Sequence, residues 1–324
     1  MIVTLTPNPS IDATLELPSP LEPGAVHRAH NYHRVVGGKG LNVTHAITLA
    51  NRPSTAIFPS RADDPFLDLV RTADLPHAPV TVGMSDWVRT NTTVTEPDGR
   101  TTKLNGPGPT LAAGTIEQLR AAVAEHASSA RWVVLAGSLP QGVAPDWYAQ
   151  LIPALREAAP QVRIAVDTSD APLTALGQHL DVAAPDLIKP NGLELGQLAG
   201  VDGLDLERRA EEGDFSGVLN AARHINARGV AEVLVTLGGA GALLCTADAA
   251  WIATPPPVQV VSTVGAGDSS LAGYLLARSA GLDFAQSLQH SVAYGSAAAG
   301  LAGTTIPRPS QLDTEHTTVT PVTV

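Results

Sequence analysis

The sequence predicts an α/β protein in which helices cover a mostly parallel β-sheet. Short runs of apolar, often β-branched residues alternate with longer stretches whose apolar residues recur every three or four positions. Because helical patterns lie between the strand patterns, crossover helices are expected to connect strands that run parallel. The buried strands predicted in this way are Ile2 to Leu5, Trp132 to Ala136, Arg163 to Val166 and Val233 to Leu237.

Helices are predicted where apolar residues share one face of a 3.6-residue turn. The apolar positions that carry these patterns are Val43/Ala46/Ile47/Ala50, Ile116/Leu119/Val123 and Phe284/Leu288/Val292.

Two segments depart from this alternation and predict a second, smaller sheet. Residues 88–104 are rich in threonine around the turn Pro97-Asp98-Gly99, which is typical of a β-hairpin, and residues 12–36 contain extended runs interrupted by prolines. We predict that they form a discontinuous β-sheet lid, although an ordinary surface hairpin is the alternative. The main unit then takes residues 1–11, 37–87 and 105–310.

The segment from Pro307 to Val324 is rich in threonine and proline, and is predicted to be an extended arm or partly disordered; residues 311–324 are taken as the C-terminal tail.

Composition narrows the class of protein. A formal charge of −11 over 324 residues argues against general binding to nucleic acids or anionic membranes. No apolar run approaches the roughly 20 residues needed to span a bilayer. With Cys245 as its single cysteine the chain has no internal disulfide, and no signal peptide is evident. A cytoplasmic location is therefore expected.

The segment Ser262-Thr263-Val264-Gly265-Ala266-Gly267-Asp268-Ser269 predicts a catalytic turn that leads into a helix. Glycines let main-chain amides approach an anion, and a helix N-terminus adds unpaired N–H groups. Asp268 is the wrong residue for binding phosphate, so it is interpreted as a proton acceptor beside amides that stabilise a transferred phosphoryl group. The alternative is an aspartate that only caps the helix.

A second glycine-rich turn, Gly37-Gly38-Lys39-Gly40-Leu41-Asn42, also precedes a helical pattern. Lys39 and Asn42 would offer a cation and an amide to a polyhydroxylated or phosphorylated ligand. Asp12, which follows the first strand, could accept hydrogen bonds from sugar hydroxyls, although an Asx-turn would also explain it.

Two further motifs are candidates for the nucleotide and its metal. In Lys189-Pro190-Asn191-Gly192-Leu193-Glu194, the side chains of Asn191 and Glu194 could face one hydrated Mg²⁺, or they could form a helix-capping box. Thr236-Leu237-Gly238-Gly239-Ala240-Gly241 follows a predicted strand, where nucleotides commonly bind in open α/β sheets.

Taken in order, the motifs GGKGLN, KPNGLE, TLGGAG and TVGAGDS resemble those of the ribokinase-like sugar kinases, also called the phosphofructokinase B family. The resemblance covers residues 1–310 and implies a three-layer α/β/α domain with a small β lid. It also implies transfer of the γ-phosphoryl group of ATP, with Mg²⁺, to a sugar hydroxyl.

The resemblance assigns roles by position. Asp268 is the implied base, and the amides of Gly265, Ala266 and Gly267 are the implied anion hole. The implied nucleotide-binding residues are Lys189, Asn191, Thr236, Gly238 and Gly241. Asn191 and Glu194 would hold Mg²⁺ through water. On the sugar side the implied residues are Asp12, Gly37, Gly38, Lys39 and Asn42.

Other motifs resemble the branch of the family that acts on sugars already phosphorylated. They are Thr6-Pro7-Asn8-Pro9-Ser10-Ile11-Asp12, Arg89-Thr90-Asn91, Asn105-Gly106-Pro107-Gly108-Pro109 and Gly137-Ser138-Leu139-Pro140. Arg89, Lys39 and Arg28 are the cations expected near the sugar phosphate, and Ser138 is a further expected contact.

The acceptor implied by this branch is fructose 1-phosphate, which would yield fructose 1,6-bisphosphate. Tagatose 6-phosphate, fructose 6-phosphate and an unphosphorylated sugar or nucleoside are the alternative acceptors, and a non-catalytic sugar-phosphate sensor is the alternative of another class. An exposed lid edge could also pair two subunits into a homodimer.

Overall fold

The structure is a computed structural model that describes residues 1–81 and 83–322. Residue 82 of the predicted main unit and residues 323 and 324 of the predicted tail lie outside the described residues. The strands, in chain order, are β1 (Ile2–Leu5), β2 (Ser10–Glu16), β3 (Asn31–Gly37), β4 (Ser54–Pro59), β5 (His77–Val80), β6 (Arg89–Thr95), β7 (Thr101–Asn105), β8 (Trp132–Ala136), β9 (Arg163–Asp167), β10 (Leu187–Ile188), β11 (Glu232–Thr236), β12 (Ala242–Cys245), β13 (Ala250–Thr254) and β14 (Thr318–Val322).

The helices, in chain order, are α1 (Lys39–Leu49), α2 (Pro65–Thr72), α3 (Ala113–Ala127), α4 (Trp147–Ala158), α5 (Asp170–Gln178), α6 (Leu180–Ala183), α7 (Gly192–Ala199), α8 (Gly203–Glu211), α9 (Ser216–Asn226), α10 (Ala266–Ser279) and α11 (Phe284–Ala299). No helix in the described part of the chain has the length and apolar character to cross a bilayer.

A ten-stranded sheet forms the centre of the molecule, in the order β14-β13-β12-β11-β10-β9-β8-β1-β4-β5. Every neighbouring pair from β11 through to β5 is parallel, while β12, β13 and β14 add antiparallel strands at one end. Strands β1 and β8 are buried along their whole length. Burial on both faces explains why they appear in the sequence as continuous apolar runs. The predicted α/β class with a mostly parallel sheet is confirmed.

Helices cover both faces of this sheet, which gives three layers. Apolar side chains of α1, α10 and α11 pack with one face, in a core that contains Ile47, Leu271 and Leu288. On the opposite face, α3, α4, α5, α7, α8 and α9 contribute to a second core, which includes Leu119 and Leu151. The two cores hold the parallel strands in place from either side.

The smaller sheet predicted from the sequence is present and has the order β3-β2-β6-β7. Strand β2 pairs antiparallel with β3 and parallel with β6, and β6 continues into β7 as a hairpin. The threonine-rich hairpin is therefore part of a four-stranded sheet assembled from two separate segments, and the surface-hairpin alternative is wrong. The exact domain boundaries proposed above stay a prediction.

The structure corrects one expectation about the C-terminal tail. Residues 318–322 form β14, which pairs antiparallel with β13 at the edge of the main sheet. This part of the tail is an ordered extended strand, so the partly disordered alternative is wrong for it. Its threonines and valines have high β-propensity, and the open edge of β13 supplies the hydrogen-bonding partner that the sequence alone does not reveal.

Candidate active site

Polar side chains collect where the parallel strands end. Asn8 follows β1, Ser138 follows β8, Asp167 ends β9, Lys189 follows β10 and Thr236 ends β11. Because these strands are parallel neighbours, all five residues lie along one edge of the main sheet. The chain order reverses between β1 and β8, which is the position at which open α/β sheets bind ligands.

Asp268 lies at this edge, in the first turn of α10. The N-cap of that helix is Gly265, whose φ of 79° favours glycine, and no side chain caps it. Asp268 is therefore not the cap, and that alternative is wrong. The residue is only 7% exposed, and its carboxylate accepts a hydrogen bond of 2.7 Å from the Asn42 side-chain amide.

The environment of Asp268 raises its pKa to about 6. Burial is the main cause, and the negative charge of Asp167 adds to it, while the positive charge of Lys39 and the Asn42 hydrogen bond act in the opposite direction. A carboxylate with this pKa is ionised at neutral pH and is still basic enough to accept a proton.

Peptide N–H groups beside Asp268 remain available for a ligand. Within the described residues, the amides of Gly265, Gly267 and Asp268 make no hydrogen bond, whereas Ala266 donates to the Thr263 carbonyl over 3.4 Å. A Cβ built on Gly267 would lie 3.3 Å from the ammonium nitrogen of Lys189. Free N–H groups at a helix N-terminus next to a lysine form a site that stabilises negative charge.

Asp167 is a buried carboxylate that the sequence analysis missed. It lies between two lysines, with Lys39 Nζ 2.6 Å from Oδ1 and Lys189 Nζ 3.1 Å from Oδ2. Burial raises its pKa, but the two lysine charges outweigh that effect and the pKa is lowered overall. The available signal was an aspartate directly after the predicted strand 163–166, at the carboxyl end where site residues collect.

Lys39 reaches this cluster as the first residue of α1, after the N-cap Gly38 with φ of 118°. Burial lowers its pKa, but the charges of Asp167, Asp268 and Glu194 raise the pKa overall, so Lys39 carries a positive charge. The predicted base and the predicted Lys39 therefore share one electrostatic centre.

The Asp12 carboxylate lies where the sequence predicts the sugar side of the site. Its Oδ1 accepts hydrogen bonds from Ser10 Oγ at 2.8 Å and from Asn91 Nδ2 at 3.2 Å. Burial raises the pKa of Asp12, and these hydrogen bonds and the charge of Arg89 partly oppose that rise. A Cβ on Gly37 would overlap the Asp12 carboxylate, so a larger residue there would force that carboxylate to move. Asp12 lies within β2 and forms no Asx-turn.

Arg89 lies at the base of the small sheet, with polar atoms around it that have no partner. It donates to the Gly106 carbonyl at 3.1 Å and to the Asn8 carbonyl at 3.3 Å. Asn8 Nδ2 in turn donates to Ser138 Oγ over 3.2 Å. Buried Arg89 Nε, Asn8 Oδ1 and Asn91 Oδ1 make no hydrogen bond within the described residues. Unpaired buried donors and acceptors are the groups that a polar ligand would satisfy.

The positions of two basic residues, Arg28 and Lys103, were not predicted correctly from the sequence. Arg28 is exposed in the loop that joins β2 to β3. This loop follows the Glu16–Asn31 pair, which lies at the opposite end of the β2–β3 hairpin from Gly37. The structure therefore does not bring it together with Lys39 and Arg89. Lys103, which the sequence analysis overlooked, lies on the same face of the small sheet as Asp12, and its charge opposes the rise in the pKa of Asp12.

The predicted nucleotide segments lie side by side. The Thr236 amide donates to the Pro190 carbonyl over 3.0 Å, and the turn Gly238–Ala240 follows at the same edge before Gly241. Asn191 and Glu194 form the capping box of α7, the alternative weighed for them, through Asn191 Oδ1 and Glu194 Oε2.

Glu194 Oε1 makes no hydrogen bond within the described residues. Burial raises the pKa of Glu194, against the lowering effect of the Lys39 charge. A carboxylate oxygen without a partner is a ligand of the kind that Mg²⁺ prefers.

Comparison with known proteins agrees with this geometry. The chain is 34% identical over 326 residues to a 1-phosphofructokinase of Haloferax volcanii, covering 100% of this chain and 99% of the relative. It is 32% identical over 321 residues to a 1-phosphofructokinase of Rhodobacter capsulatus, covering 98% and 96%.

Solved structures match as well. Phosphofructokinase-2 from Escherichia coli in complex with substrates and products superposes with a TM-score of 0.85, at 32% identity over 97% of each chain. The same enzyme in complex with fructose-6-phosphate gives 0.82 at 31% identity, covering 94% of this chain and 95% of that one. The family model "pfkB family carbohydrate kinase" matches residues 5–311. This chain therefore belongs to the pfkB family of carbohydrate kinases.

Proposed function

We propose that the protein transfers the γ-phosphoryl group of ATP to the 6-hydroxyl of fructose 1-phosphate, forming fructose 1,6-bisphosphate and ADP. The observation that carries the proposal is the buried Asp268 carboxylate beside the free amides of Gly265 and Gly267 and the Lys189 ammonium group. The relatives named 1-phosphofructokinase support the choice of acceptor.

Asp268 acts as the general base. It accepts the proton of the attacking hydroxyl as the oxygen approaches the γ-phosphorus of ATP, and the Asn42 amide holds the carboxylate in place. A pKa near 6 keeps most of Asp268 ionised at pH 7.

The amides and Lys189 stabilise negative charge on the phosphoryl group as it moves between the two oxygens. Asp167 fixes both Lys39 and Lys189, so neither ammonium group has to reorganise during the reaction. The ATP body lies along Thr236, Gly238 and Gly241, next to Asn191.

Arg89 is the proposed contact of the sugar phosphate, because it is half-buried among unpartnered polar atoms and forms no ion pair in the described part of the chain. Asp12, Asn42 and Ser138 contact the sugar hydroxyls, with Gly37 and Gly38 allowing close approach. The small sheet acts as a lid whose closure excludes water that would otherwise accept the phosphoryl group.

Mg²⁺ is the proposed metal, held by Glu194 and Asn191 through water. The hard oxygen donors present fit this ion, and Glu194 keeps one carboxylate oxygen outside the capping box. When bound, Mg²⁺ neutralises charge on the ATP phosphates.

An assay of ADP release with several acceptors tests the proposal. In the presence of ATP and Mg²⁺, kcat/KM should be highest with fructose 1-phosphate, compared with fructose 6-phosphate and tagatose 6-phosphate. Fructose 6-phosphate is the second candidate, because the matching Escherichia coli enzyme was solved in complex with it.

Asp268→Asn should lower kcat by about 10²–10⁴-fold, the usual contribution of a general base. Asp248→Asn, at an exposed position between β12 and β13, is the matched control and should retain full turnover. If no sugar phosphate stimulates ADP release, the kinase proposal fails and the non-catalytic sensor becomes the better account.

We also propose a cytoplasmic location, where ATP is available and the buried free thiol of Cys245 stays reduced.

The proposed assembly is a homodimer through the small sheet, since β3 and β7 are its outer strands and carry the exposed side chains of Tyr32, Val35 and Leu104. Light scattering coupled to size-exclusion chromatography should give a molar mass twice that of one chain. The Leu104→Asp variant should have the mass of a single chain. A monomeric wild-type protein would contradict this assembly.

A further inference from the structure

A cavity of about 410 Å³ lies on the side of the small sheet away from Asp12. It is bounded by β3, by α1 and α2, and by the segment that follows α11. Asp12 pairs with Val35, so Arg34, the next residue along β3, lies on the opposite face of the strand. The lining residues are Arg34, Val35, Val36, His45, Leu49, Leu69, Thr72, Ala73, Thr304, Thr305, Ile306, Arg308 and Gln311.

The charge of this cavity is positive and uncompensated. Arg34 and Arg308 both line it, no lining residue is acidic, and neither arginine forms an ion pair within the described residues. Burial lowers the pKa of His45, and the positive charge of Arg308 lowers it further. In a chain with a net charge of −11, two arginines without a carboxylate at one cavity indicate a site for an anion.

The apolar walls of the cavity indicate that its ligand is larger than a simple anion and partly apolar. Val36, Leu49, Leu69, Ala73 and Ile306 give the cavity an apolar surface, and its volume falls within the range typical of small-molecule sites. Thr72 and Thr305 already donate their hydroxyl groups to main-chain carbonyls, so Thr304 is the lining threonine whose hydroxyl is available as a donor within the described residues. A matching ligand has a negatively charged group for the arginines and a compact apolar body for the remaining wall.

The position of the cavity connects it to both parts of the molecule. Arg34 belongs to the small sheet, whereas Arg308 belongs to the segment that follows α11. Ile306, which lines the cavity, lies 3.9 Å from the Cβ position of Gly265 at the start of α10. A ligand held by both arginines therefore bridges the small sheet and the main unit, and it contacts Ile306, which packs against the start of α10.

We propose that this cavity is a second ligand site, separate from the catalytic centre, that binds a small organic phosphate with an apolar ring. The phosphate pairs with Arg34 and Arg308, and the ring packs against the apolar wall. The inference does not depend on which sugar phosphate the catalytic centre accepts.

Isothermal titration calorimetry with phenyl phosphate tests this site, using the full chain. Arg34→Ala and Arg308→Ala should each raise the Kd by about tenfold, because a hydrogen-bonded charge contact is lost. Inorganic phosphate, which has no ring, should bind the wild-type protein about tenfold more weakly than phenyl phosphate does. The matched control is Arg228→Ala. This arginine also forms no ion pair in the described residues, but it lies in the loop after α9, which packs on the face of the main sheet opposite to α1. Its loss should leave the Kd for phenyl phosphate unchanged.

Three outcomes would overturn the proposal: no saturable binding of phenyl phosphate, the same Kd in both arginine variants as in the wild type, or equal affinity for inorganic phosphate and phenyl phosphate. Because binding is measured directly, these outcomes leave the kinase proposal intact. That proposal fails only if ADP release does not respond to any sugar phosphate.

Discussion

Asp268→Asn is expected to remove turnover and to stabilise the folded protein at neutral pH. Folding moves the Asp268 carboxyl group into a buried position and raises its pKa from 3.8 to about 6. One pKa unit corresponds to about 1.4 kcal/mol. Ionised Asp268 therefore lowers the free energy of unfolding by up to about 3 kcal/mol. Asparagine has no such ionisation and can still accept the hydrogen bond from Asn42.

The stabilisation by Asp268→Asn should grow as the pH rises, because the ionised form of Asp268 is the one that destabilises the wild-type fold. At pH values below 3.8, Asp268 is protonated in both the folded and the unfolded state, and its ionisation has no effect on stability. Between pH 3.8 and about 6, the unfolded chain loses the proton first, so the native state is progressively destabilised. Above about pH 6 the effect is complete.

Thermal denaturation of the two proteins across this pH range measures the effect. The variant should have a Tm that is a few degrees higher than that of the wild type at pH 7.5, with a difference that shrinks as the pH falls to 4.5. Asp248→Asn, which changes an exposed carboxylate, should show no such trend. A variant that is less stable than the wild type at pH 7.5, or a Tm difference that does not change with pH, would refute the reasoning.

Three further substitutions have expected outcomes. Arg89→Ala should raise the KM for fructose 1-phosphate by about tenfold or more and the KM for ATP by less than about twofold in initial-rate assays; equal effects on both substrates would argue against a phosphate contact. Gly37→Ala places a Cβ on the Asp12 carboxylate, so the KM for the sugar phosphate should rise, and an unchanged KM would show that Asp12 does not bind the sugar. Asp167→Asn leaves the buried ammonium group of Lys189 and the partly exposed one of Lys39 without their carboxylate, and should destabilise the protein by about 3–5 kcal/mol. It should also move the acid limb of the kcat/KM profile below pH 6, because the Asp167 charge contributes to the raised pKa of Asp268; a limb that stays at pH 6 would contradict this electrostatic origin.

Local patterns predicted four strands of the ten-stranded sheet, namely β1, β8, β9 and β11, and the hairpin of the small sheet. Strands β1 and β8 have the bounds expected from their apolar runs, because burial on both faces leaves an uninterrupted signal over four or five residues. The turn before α10 was also predicted from the sequence, because its glycines and Asp268 lie within one short segment of the chain. The identity of the candidate base thus came from eight consecutive residues.

Long-range pairing was beyond the reach of the same patterns. Strand β2 pairs in parallel with β6 across more than seventy residues, and the tail joins the main sheet beside β13. Nothing in the neighbourhood of β14 specifies its partner strand, because an edge accepts any extended segment of suitable length. These contacts depend on where the rest of the chain has already folded.

The amino-acid sequence by itself determined which chemical groups this protein has and the local structure that presents them: the glycine turns, the helix that begins at Ala266 and the aspartate in its first turn. Only the tertiary structure decided that Asp167 lies between Lys39 and Lys189, and that Arg28 lies away from both lysines. The physical reason is that charge interactions depend on distance in space and on burial, and both are properties of the folded chain rather than of spacing along it.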